Sequence, residues 1–140
     1  AISCYEATTL QRVTPVGYIE HQTLAWVGCS PDGLVGPCGM IEVKCMAPHN
    51  HLEVLRTREA PRAVMAQLRH NLFTSERAWI DYVAFRPSLP DNAQIFIQRF
   101  TADELKLDEY QPEVVSFLDA VSEAVDEIQQ WRPDGEKRSE

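Results

Sequence analysis

The sequence has no long hydrophobic run. None of its 140 residues lies in a stretch that approaches the roughly 20 consecutive apolar residues of a membrane-spanning helix. It also lacks the basic and then apolar opening that is typical of a secretory signal peptide. These absences argue against a membrane or secreted protein, so we expect an intracellular one.

Positive charge is scarce as well. The chain has 13 Lys and Arg against 21 Asp and Glu, a net charge of −8, which argues against a simple basic protein that coats DNA. The charges are unevenly placed, because residues 44–77 hold six basic and three acidic side chains whereas acids dominate from Asp103 onward. The basic middle could face phosphates, and the acidic C-terminal part could face solvent or a partner.

Paired cysteine motifs are absent. The four cysteines lie at positions 4, 29, 38 and 45, and none of them forms a Cys-x-x-Cys pair. This spacing argues against a zinc ribbon or a redox pair, and it fits none of the usual ligation runs of an iron–sulfur cluster.

The length and the pattern of apolar residues predict one α/β domain over residues 1–132, followed by a disordered tail over residues 133–140. Runs with a helical period alternate with runs of β-branched and aromatic residues. The predicted helices cover residues 1–9, 52–60, 62–74 and 112–131. The predicted strands cover residues 16–21, 24–29, 40–45, 78–85 and 94–100, and residues 46–51 are predicted as a loop.

The stretch from Gly28 to Cys45 carries the strongest chemical signal. Residues 30–33 (SPDG) and 36–39 (GPCG) are turn signals, and residues 40–45 alternate as a half-buried strand does. Because side chains repeat with period two along a strand, Glu42 and Lys44 share one face. The pattern predicts a tight β-hairpin that brings Asp32 close to both.

Asp32, Glu42 and Lys44 would form a compact charged cluster suited to a hard divalent cation. Mg²⁺ prefers oxygen ligands and keeps several waters, so two carboxylates and the backbone carbonyl of Val43 are enough protein donors. Lys44 would supply a fixed positive charge for an attacking water or a developing phosphorane. The alternative is a surface hairpin on which Glu42 and Lys44 form an exposed pair that adds little stability.

Asp32, followed after nine residues by Glu42-Val43-Lys44, resembles the PD-(D/E)XK nuclease motif. The longer motif, CSPDGL from Cys29 and EVKC from Glu42, resembles that of the lambda exonuclease or YqaJ-type viral recombinase family within that superfamily. The resemblance covers nearly the whole chain and is densest over residues 16–85. It implies a restriction-endonuclease-like fold, in which helices flank a mixed β-sheet.

The resemblance implies a Mg²⁺-dependent exonuclease, with Mn²⁺ as a substitute metal, that degrades double-stranded DNA 5′→3′ and leaves 3′ overhangs for phage-type recombination. The implied partners are double-stranded DNA ends, further copies of the chain in a trimeric ring and a single-strand annealing protein. The implied location is the cytoplasm of a bacterium or phage-infected cell, with no membrane partner. Relatives also carry an acid in a Gly-x-x-x-Glu motif and an arginine that reads the 5′-phosphate. Both positions would precede Ala1, so we expect an N-terminal segment to be missing.

The family's helix motif, an aromatic-Met-Ala-Gln run, falls on residues 64–67. This match implies that Gln67 is catalytic beside Asp32, Glu42 and Lys44. Val64 replaces the usual tyrosine, and Arg69 stands where relatives often have a second glutamine. The residues predicted to contact DNA are Ser30, His49, Arg62 and Arg69.

Two alternatives stay open. One is another PD-(D/E)XK nuclease, either an endonuclease or a RecB-like repair nuclease. Cleavage of covalently closed circular DNA would help to distinguish this alternative from the end-dependent exonuclease. The other is a catalytically inactive module that binds DNA or a partner. Stabilisation by a divalent metal would argue against the inactive module.

Overall fold

The computed structural model of the protein describes residues 1–131. The tail predicted over residues 133–140 lies outside the described residues. The chain divides into two units, Ala1–Leu107 and Asp108–Glu140. Within the described part, no helix combines the length and the apolar character that crossing a membrane requires.

Across the residues that are described, the first unit has three α-helices, one short 3₁₀ helix (Asp91–Ala93) and seven strands. Its helices are α1 (Ile2–Thr9), α2 (Pro48–Thr57) and α3 (Arg62–Ser75). Its strands are β1 (Val13–Thr14), β2 (Ile19–Glu20), β3 (Gly28–Cys29), β4 (Gly33–Val35), β5 (Gly39–Cys45), β6 (Trp79–Phe85) and β7 (Ile95–Thr101). Helix α4 (Leu107–Gln130) begins at the last residue of this unit and makes up nearly all of the described part of the second unit.

Five strands form one mixed sheet in the order β1-β4-β5-β6-β7. Strands β5 and β6 are parallel, with Gly39 opposite Trp79 and Cys45 opposite Phe85, and the other neighbouring strands are antiparallel. A parallel pair needs a long crossover connection, which α2 and α3 supply here. The predicted mixed sheet flanked by helices is thus confirmed.

Each face of the sheet packs against its own helices. On one face, α2 and α3 cover a cluster that includes Met40, Val54, Leu68, Leu72, Ile80 and Tyr82. On the other face, α1 covers a cluster of Tyr5, Val13, Val35, Ile41 and Val83. Strand β5 is buried on both sides at its centre. Glu42 and Lys44 lie on the same face as Met40, so they point toward α3 rather than toward α1, and Gln67 of α3 contacts Glu42.

A hairpin forms within Gly28–Cys45 as predicted, but its first strand, β4, was not among the predicted strands. Its turn lies at residues 36–38, where Gly36 takes a φ of 55°, a left-handed conformation that glycine adopts without steric cost. A Cβ at Gly33 would overlap the side chain of Val13, so glycine also lets β1 lie against β4. The thiol of Cys38 is exposed just before β5, and the thiol of Cys45 is exposed at its end.

A buried polar group anchors α1 to the sheet. Tyr5 donates its hydroxyl to Asp81 Oδ2 at 2.6 Å, and Arg99 donates to both oxygens of Asp81 at 2.8 and 2.9 Å. The Arg99 guanidinium lies 3.5 Å from the ring centroid of Trp79. Burial of Asp81 is tolerated because both carboxylate oxygens have donors.

The predicted bounds of two helices and two strands are wrong. Helix α2 begins at Pro48, so residues 48–51 are helical rather than a loop; proline fits the first helical position because it has no N–H to leave unpaired. Helix α4 begins at Leu107, upstream of Pro112, its predicted start. The strands predicted over residues 16–21 and 24–29 shorten to β2 and β3, a two-residue antiparallel pair outside the main sheet.

Candidate active site

The β4–β5 hairpin brings Asp32 beside the strand that carries Glu42 and Lys44. Asp32 immediately precedes β4, and its Oδ2 accepts a hydrogen bond from the backbone N–H of Val43 at 2.7 Å. The side chain of Asp32 therefore holds the backbone of β5 next to Glu42. The Asp32 residue itself is exposed, whereas Glu42 is only 3% exposed.

Three side chains donate hydrogen bonds to the Glu42 carboxylate. Lys44 Nζ and Gln67 Nε2 both donate to Oε1 at 2.7 Å, and Asn71 Nδ2 donates to Oε2 at 3.0 Å. The structure thus brings together Glu42, Lys44 and Gln67, all three of which the sequence analysis selected. A buried carboxylate is costly unless it is paired and hydrogen-bonded, and this set of donors offsets that cost.

Asn71 is the residue that the sequence analysis missed. It lies four residues after Gln67 in α3, and residues spaced by four share one face of a helix. That spacing was a signal that could have found it. The residue is 4% exposed, and its backbone carbonyl accepts a weak bond from the Cys29 thiol, with 3.8 Å between Sγ and oxygen. Asn71 therefore contacts both the Glu42 carboxylate and the strand that leads to Asp32.

Burial raises the pKa of Glu42 above its ordinary value, and the negative charge of Asp32 raises it further. The Lys44 ammonium and the Asn71 amide act in the opposite direction, because both stabilise the ionised form. Two neighbouring carboxylates, one of them buried, favour binding of a cation because it offsets the repulsion between their negative charges. A divalent metal would supply the charge that this pair lacks.

The donors at this position fit a magnesium-type ion that retains water. Asp32 and Glu42 are the two carboxylates at this position, and among residues 1–131 no group of three or more His, Cys, Asp and Glu side chains is arranged to hold a metal. An ionised carboxylate has about four lone-pair positions. Glu42 Oε1 accepts two hydrogen bonds and Oε2 accepts one, which leaves Oε2 a position for a metal. Few protein ligands and several waters are typical of Mg²⁺.

The residues predicted to contact DNA are placed around this cluster rather than in it. Ser30 and His49 are exposed, the first just before Asp32 and the second in the first turn of α2. Arg62 is exposed at the start of α3 and lines the same pocket as Lys44. Arg69 instead donates to the backbone carbonyl of Lys106 at 2.8 Å, so its side chain points away from Glu42. DNA contact by these four residues stays a prediction.

The chain is similar to known proteins in sequence and in fold. The family model of the YqaJ-like viral recombinase domain matches residues 1–78. The crystal structure of an alkaline exonuclease, LHK-Exo, from Laribacter hongkongensis is 34% identical to the chain, with a TM-score of 0.85. A second structure of LHK-Exo, in complex with dAMP, is also 34% identical, with a TM-score of 0.84.

Both alignments cover 91% of this chain, and they cover 66% and 65% of the respective LHK-Exo chains. The chain therefore spans just under two thirds of the length of these relatives. No curated protein matches the sequence.

Proposed function

Because this chain belongs to the YqaJ-like viral recombinase family, we propose that it is a metal-dependent deoxyribonuclease that degrades DNA from its ends. The observation that carries the proposal is the Glu42 carboxylate, which is buried beside Asp32 and receives hydrogen bonds from Lys44, Gln67 and Asn71. A surface hairpin would not bury a carboxylate under three donors. The alternative of an exposed pair that adds little therefore does not describe Glu42.

We infer that Asp32, Glu42 and the backbone carbonyl of Val43 would hold Mg²⁺, or Mn²⁺ in its place. When bound, the metal would polarise a phosphate oxygen and lower the pKa of a bound water. The fit rests on the oxygen donors, on the free lone-pair position of Glu42 Oε2 and on the raised pKa of Glu42, which a nearby cation would lower again.

Lys44 has two tasks in this proposal. Its ammonium is half-buried and lies 2.7 Å from Glu42 Oε1, so it carries a fixed positive charge to the edge of the carboxylate pair. Negative charge that develops on the phosphate during attack is stabilised most by a charge that is already in place. The same ammonium can hold the attacking water by a hydrogen bond. Gln67 donates to the same carboxylate oxygen and helps to fix the orientation of Glu42.

The finer features of the activity belong to the same proposal. The enzyme would act 5′→3′ on double-stranded DNA, leave 3′ overhangs for recombination and assemble as a ring around DNA beside a single-strand annealing protein. The relative's name, alkaline exonuclease, supports action at DNA ends, and its complex with dAMP supports a mononucleotide as product. The exposed Ser30, His49 and Arg62 would contact the DNA backbone.

The test is degradation of linear double-stranded DNA in Mg²⁺, with the 5′ ends and the 3′ ends labelled in separate substrates. A covalently closed circle serves as the control substrate. Early release of 5′ label as mononucleotide, with the circle intact, is the expected result. Early release of 3′ label would overturn the proposed polarity, and cutting of the circle would favour the endonuclease alternative.

If the protein cleaves neither the linear nor the circular DNA, the result would favour the inactive binding module. To separate that outcome from a poorly formed metal site, Mn²⁺ binding is measured on the same preparation by electron paramagnetic resonance. A chain that binds Mn²⁺ through Asp32 and Glu42 but cuts no substrate would contradict the proposed function directly.

A further inference from the structure

Two large aromatic side chains are exposed at the short hairpin of β2 and β3. Tyr18 is 66% exposed and Trp26 is 76% exposed. Together with Leu24, Ala25 and Val27 they line a cleft of about 400 Å³, which we call the aromatic cleft. Its volume lies within the range of roughly 300–1,000 Å³ that is common for sites that bind small ligands. The catalytic assignment above uses none of these residues.

The backbone around Trp26 is fixed in an unusual conformation. Trp26 has a φ of 65°, in the left-handed region that a bulky residue rarely adopts. The N–H of His21 donates to the carbonyl of Val27 at 2.9 Å, and His21 Nδ1 accepts bonds from the N–H groups of Thr23 and Leu24 at 3.2 and 3.3 Å. Because Trp26 buries little of its surface, core packing does not explain this conformation. Strain that the surrounding structure holds in place is common at sites that bind ligands.

The hairpin is anchored to α3 next to the catalytic cluster. The ring of His21 lies against that of Phe73, with 5.0 Å between the two centroids. Strand β3 reaches the cluster through Cys29, whose Sγ lies 3.8 Å from the backbone oxygen of Asn71. Asn71 in turn donates to Glu42 at 3.0 Å. The aromatic cleft and the carboxylate pair are therefore held on the same helix.

The aromatic cleft is also close to Asp32 along the chain. Five residues separate Trp26 from Asp32. An extended chain spans at most about 3.6 Å per residue, so their Cα atoms lie within about 22 Å of each other, or roughly six steps of 3.4 Å along DNA. The Tyr18 ring occupies the space in which a Cβ at Gly28 would lie, four residues before Asp32. DNA with a phosphate at Asp32 can therefore reach the cleft.

The lining of the cleft favours an uncharged ring. Glu20 contributes a carboxylate, and none of the described residues that line the cleft is Lys or Arg, so a phosphate is disfavoured there. Aromatic side chains stack on any nucleobase, because every base has a π-face. Within an intact duplex those faces are covered by the neighbouring bases, so only an unpaired base can enter. An enzyme that degrades one strand of a duplex leaves unpaired bases on the other strand.

We propose that the aromatic cleft binds an unpaired nucleobase of the DNA strand that remains after its partner has been degraded. The inference rests on the proposed nuclease function and gives the remaining strand a site of its own, apart from the residues that act on the cut strand. Tyr18 and Trp26 hold the base by stacking. A base held there cannot pair again, so the end of the duplex stays open beside the catalytic cluster.

The first experiment measures binding of the protein to a short fluorescein-labelled oligothymidylate by fluorescence anisotropy, in EDTA so that no metal-dependent cleavage occurs. Trp26→Ala should weaken binding about tenfold, because one stack between a base and an aromatic side chain contributes on that order. Trp26→Phe keeps an aromatic face and should retain most of the affinity. Equal affinity of Trp26→Ala and the wild type, or no binding by the wild type, would overturn the proposal.

Trp131→Ala is the matched control. Trp131 is 71% exposed, so the substitution removes a tryptophan of similar exposure that does not line the cleft. Its affinity for the oligothymidylate should equal that of the wild type. Equal losses in Trp26→Ala and Trp131→Ala would show a nonspecific effect of exposed tryptophan and would contradict the assignment to the cleft.

Photochemical cross-linking locates the base directly. An oligothymidylate that carries one 5-iodouracil is irradiated in the presence of the protein, and the labelled residue is identified by mass spectrometry. An adduct on Tyr18 or Trp26 is expected, and adducts confined to other residues would refute the proposal. Neither binding nor cross-linking requires cleavage. The inference can therefore fail in a protein that has exonuclease activity, and it can hold in one that cuts no duplex.

A second copy of the chain is the other occupant that the aromatic cleft could have. Sedimentation velocity of the wild type and of Trp26→Ala, both without DNA, tests for it. The two proteins should sediment alike if the cleft binds DNA. Loss of an oligomer in Trp26→Ala, with unchanged affinity for the oligothymidylate, would assign the cleft to a contact between subunits and overturn the proposal.

Discussion

Asn71 donates a hydrogen bond from its side-chain amide to Glu42 Oε2 at 3.0 Å, on the oxygen opposite the one that Lys44 and Gln67 contact. The Glu42 carboxylate is therefore fixed from both of its oxygens. A metal that binds at Oε2 meets an oxygen whose direction is already set by Asn71. Outer-shell contacts of this kind orient metal ligands and contribute to their affinity.

Substitution of Asn71 tests that arrangement. Asn71→Ala removes the donor from Oε2 and should weaken Mn²⁺ binding about tenfold or more, the usual effect of losing an outer-shell partner. It should also lower the free energy of unfolding by about 1–3 kcal/mol, because a buried acceptor loses its donor. Mn²⁺ titration followed by paramagnetic resonance and urea unfolding measure the two effects. Asn92→Ala, at an exposed asparagine, is the control; unchanged Mn²⁺ affinity in Asn71→Ala would contradict the orienting role.

Lys44→Ala should abolish most activity while the fold is retained. The loss should be at least about a hundredfold in rate, since one preorganised electrostatic donor typically contributes that much to a transition state. The fold should survive because Gln67 and Asn71 still donate to Glu42. Steady-state cleavage and circular dichroism measure activity and fold. A variant that cuts DNA at the wild-type rate would remove Lys44 from the catalytic assignment.

The stabilisation of the protein by metal should depend on pH through Glu42. Its raised pKa means that the folded chain binds this proton more tightly than the unfolded chain does. Without metal, the contribution of Glu42 to stability is therefore full at low pH and is lost as pH rises through the raised value. Bound metal requires the ionised form, so the metal-induced rise in Tm should be large at neutral pH.

That rise in Tm should shrink as the pH is lowered, because protons compete with the metal for Glu42, and the raised pKa of Glu42 makes this competition begin at a higher pH than for an ordinary glutamate. Thermal unfolding with Mg²⁺ and with EDTA across a pH series measures it. Glu42→Gln is the control and should show little metal-induced shift at any pH. A shift of equal size in Glu42→Gln would show that the metal binds without this carboxylate.

Tyr5 gives a second pH-dependent prediction, on the opposite face of the sheet. Tyr5→Phe removes a buried bond to Asp81 and should lower the free energy of unfolding by about 1.5–3 kcal/mol, the range for bonds to charged groups. Burial and then the bond to Asp81 raise the pKa of Tyr5. The wild-type advantage is therefore present below the unfolded tyrosine pKa of 10.0 and shrinks as pH rises above it.

Urea unfolding of both proteins at neutral and at strongly alkaline pH measures this difference. The exposed Tyr18 offers a matched control, because Tyr18→Phe removes the same hydroxyl from the surface. The prediction is wrong if the two substitutions have the same effect.

The sequence predicted the parts of the site that are local in the chain. Asp32, Glu42 and Lys44 lie within one hairpin, whose turn residues and period-two alternation can be recognised without knowledge of the rest. Gln67 came from a resemblance to a helix motif. Asn71 lies four residues after Gln67, a spacing that places both on one helix face, but this spacing does not specify whether a buried asparagine meets a carboxylate or a backbone group.

The remaining errors have a similar origin. A proline such as Pro48 can lie in a loop or at the first position of a helix. The packing of Val54 against the core is what stabilises the helix here. Strands β2 and β3 are short because they pair only with each other and lie against α3, a contact that their own residues do not specify. The parallel pairing of β5 and β6 likewise depends on two helices that come between them.

The exposed thiols of Cys38 and Cys45, at the two ends of β5, are natural attachment sites for spin labels that report on the metal site. Cys45 lies three positions after Glu42 and Cys38 four positions before it, so the two thiols are on the order of 10 Å and 13 Å from that carboxylate along an extended strand. A paramagnetic Mn²⁺ ion held by Asp32 and Glu42 would broaden the signal of a nitroxide attached to either thiol, so the two labels report the same metal from opposite ends of the strand. Substitution of the half-buried Cys4 and of one exposed cysteine by serine leaves a single accessible thiol, because Cys29 is buried, so the occupancy of the carboxylate pair can be read from one strand without adding a probe site.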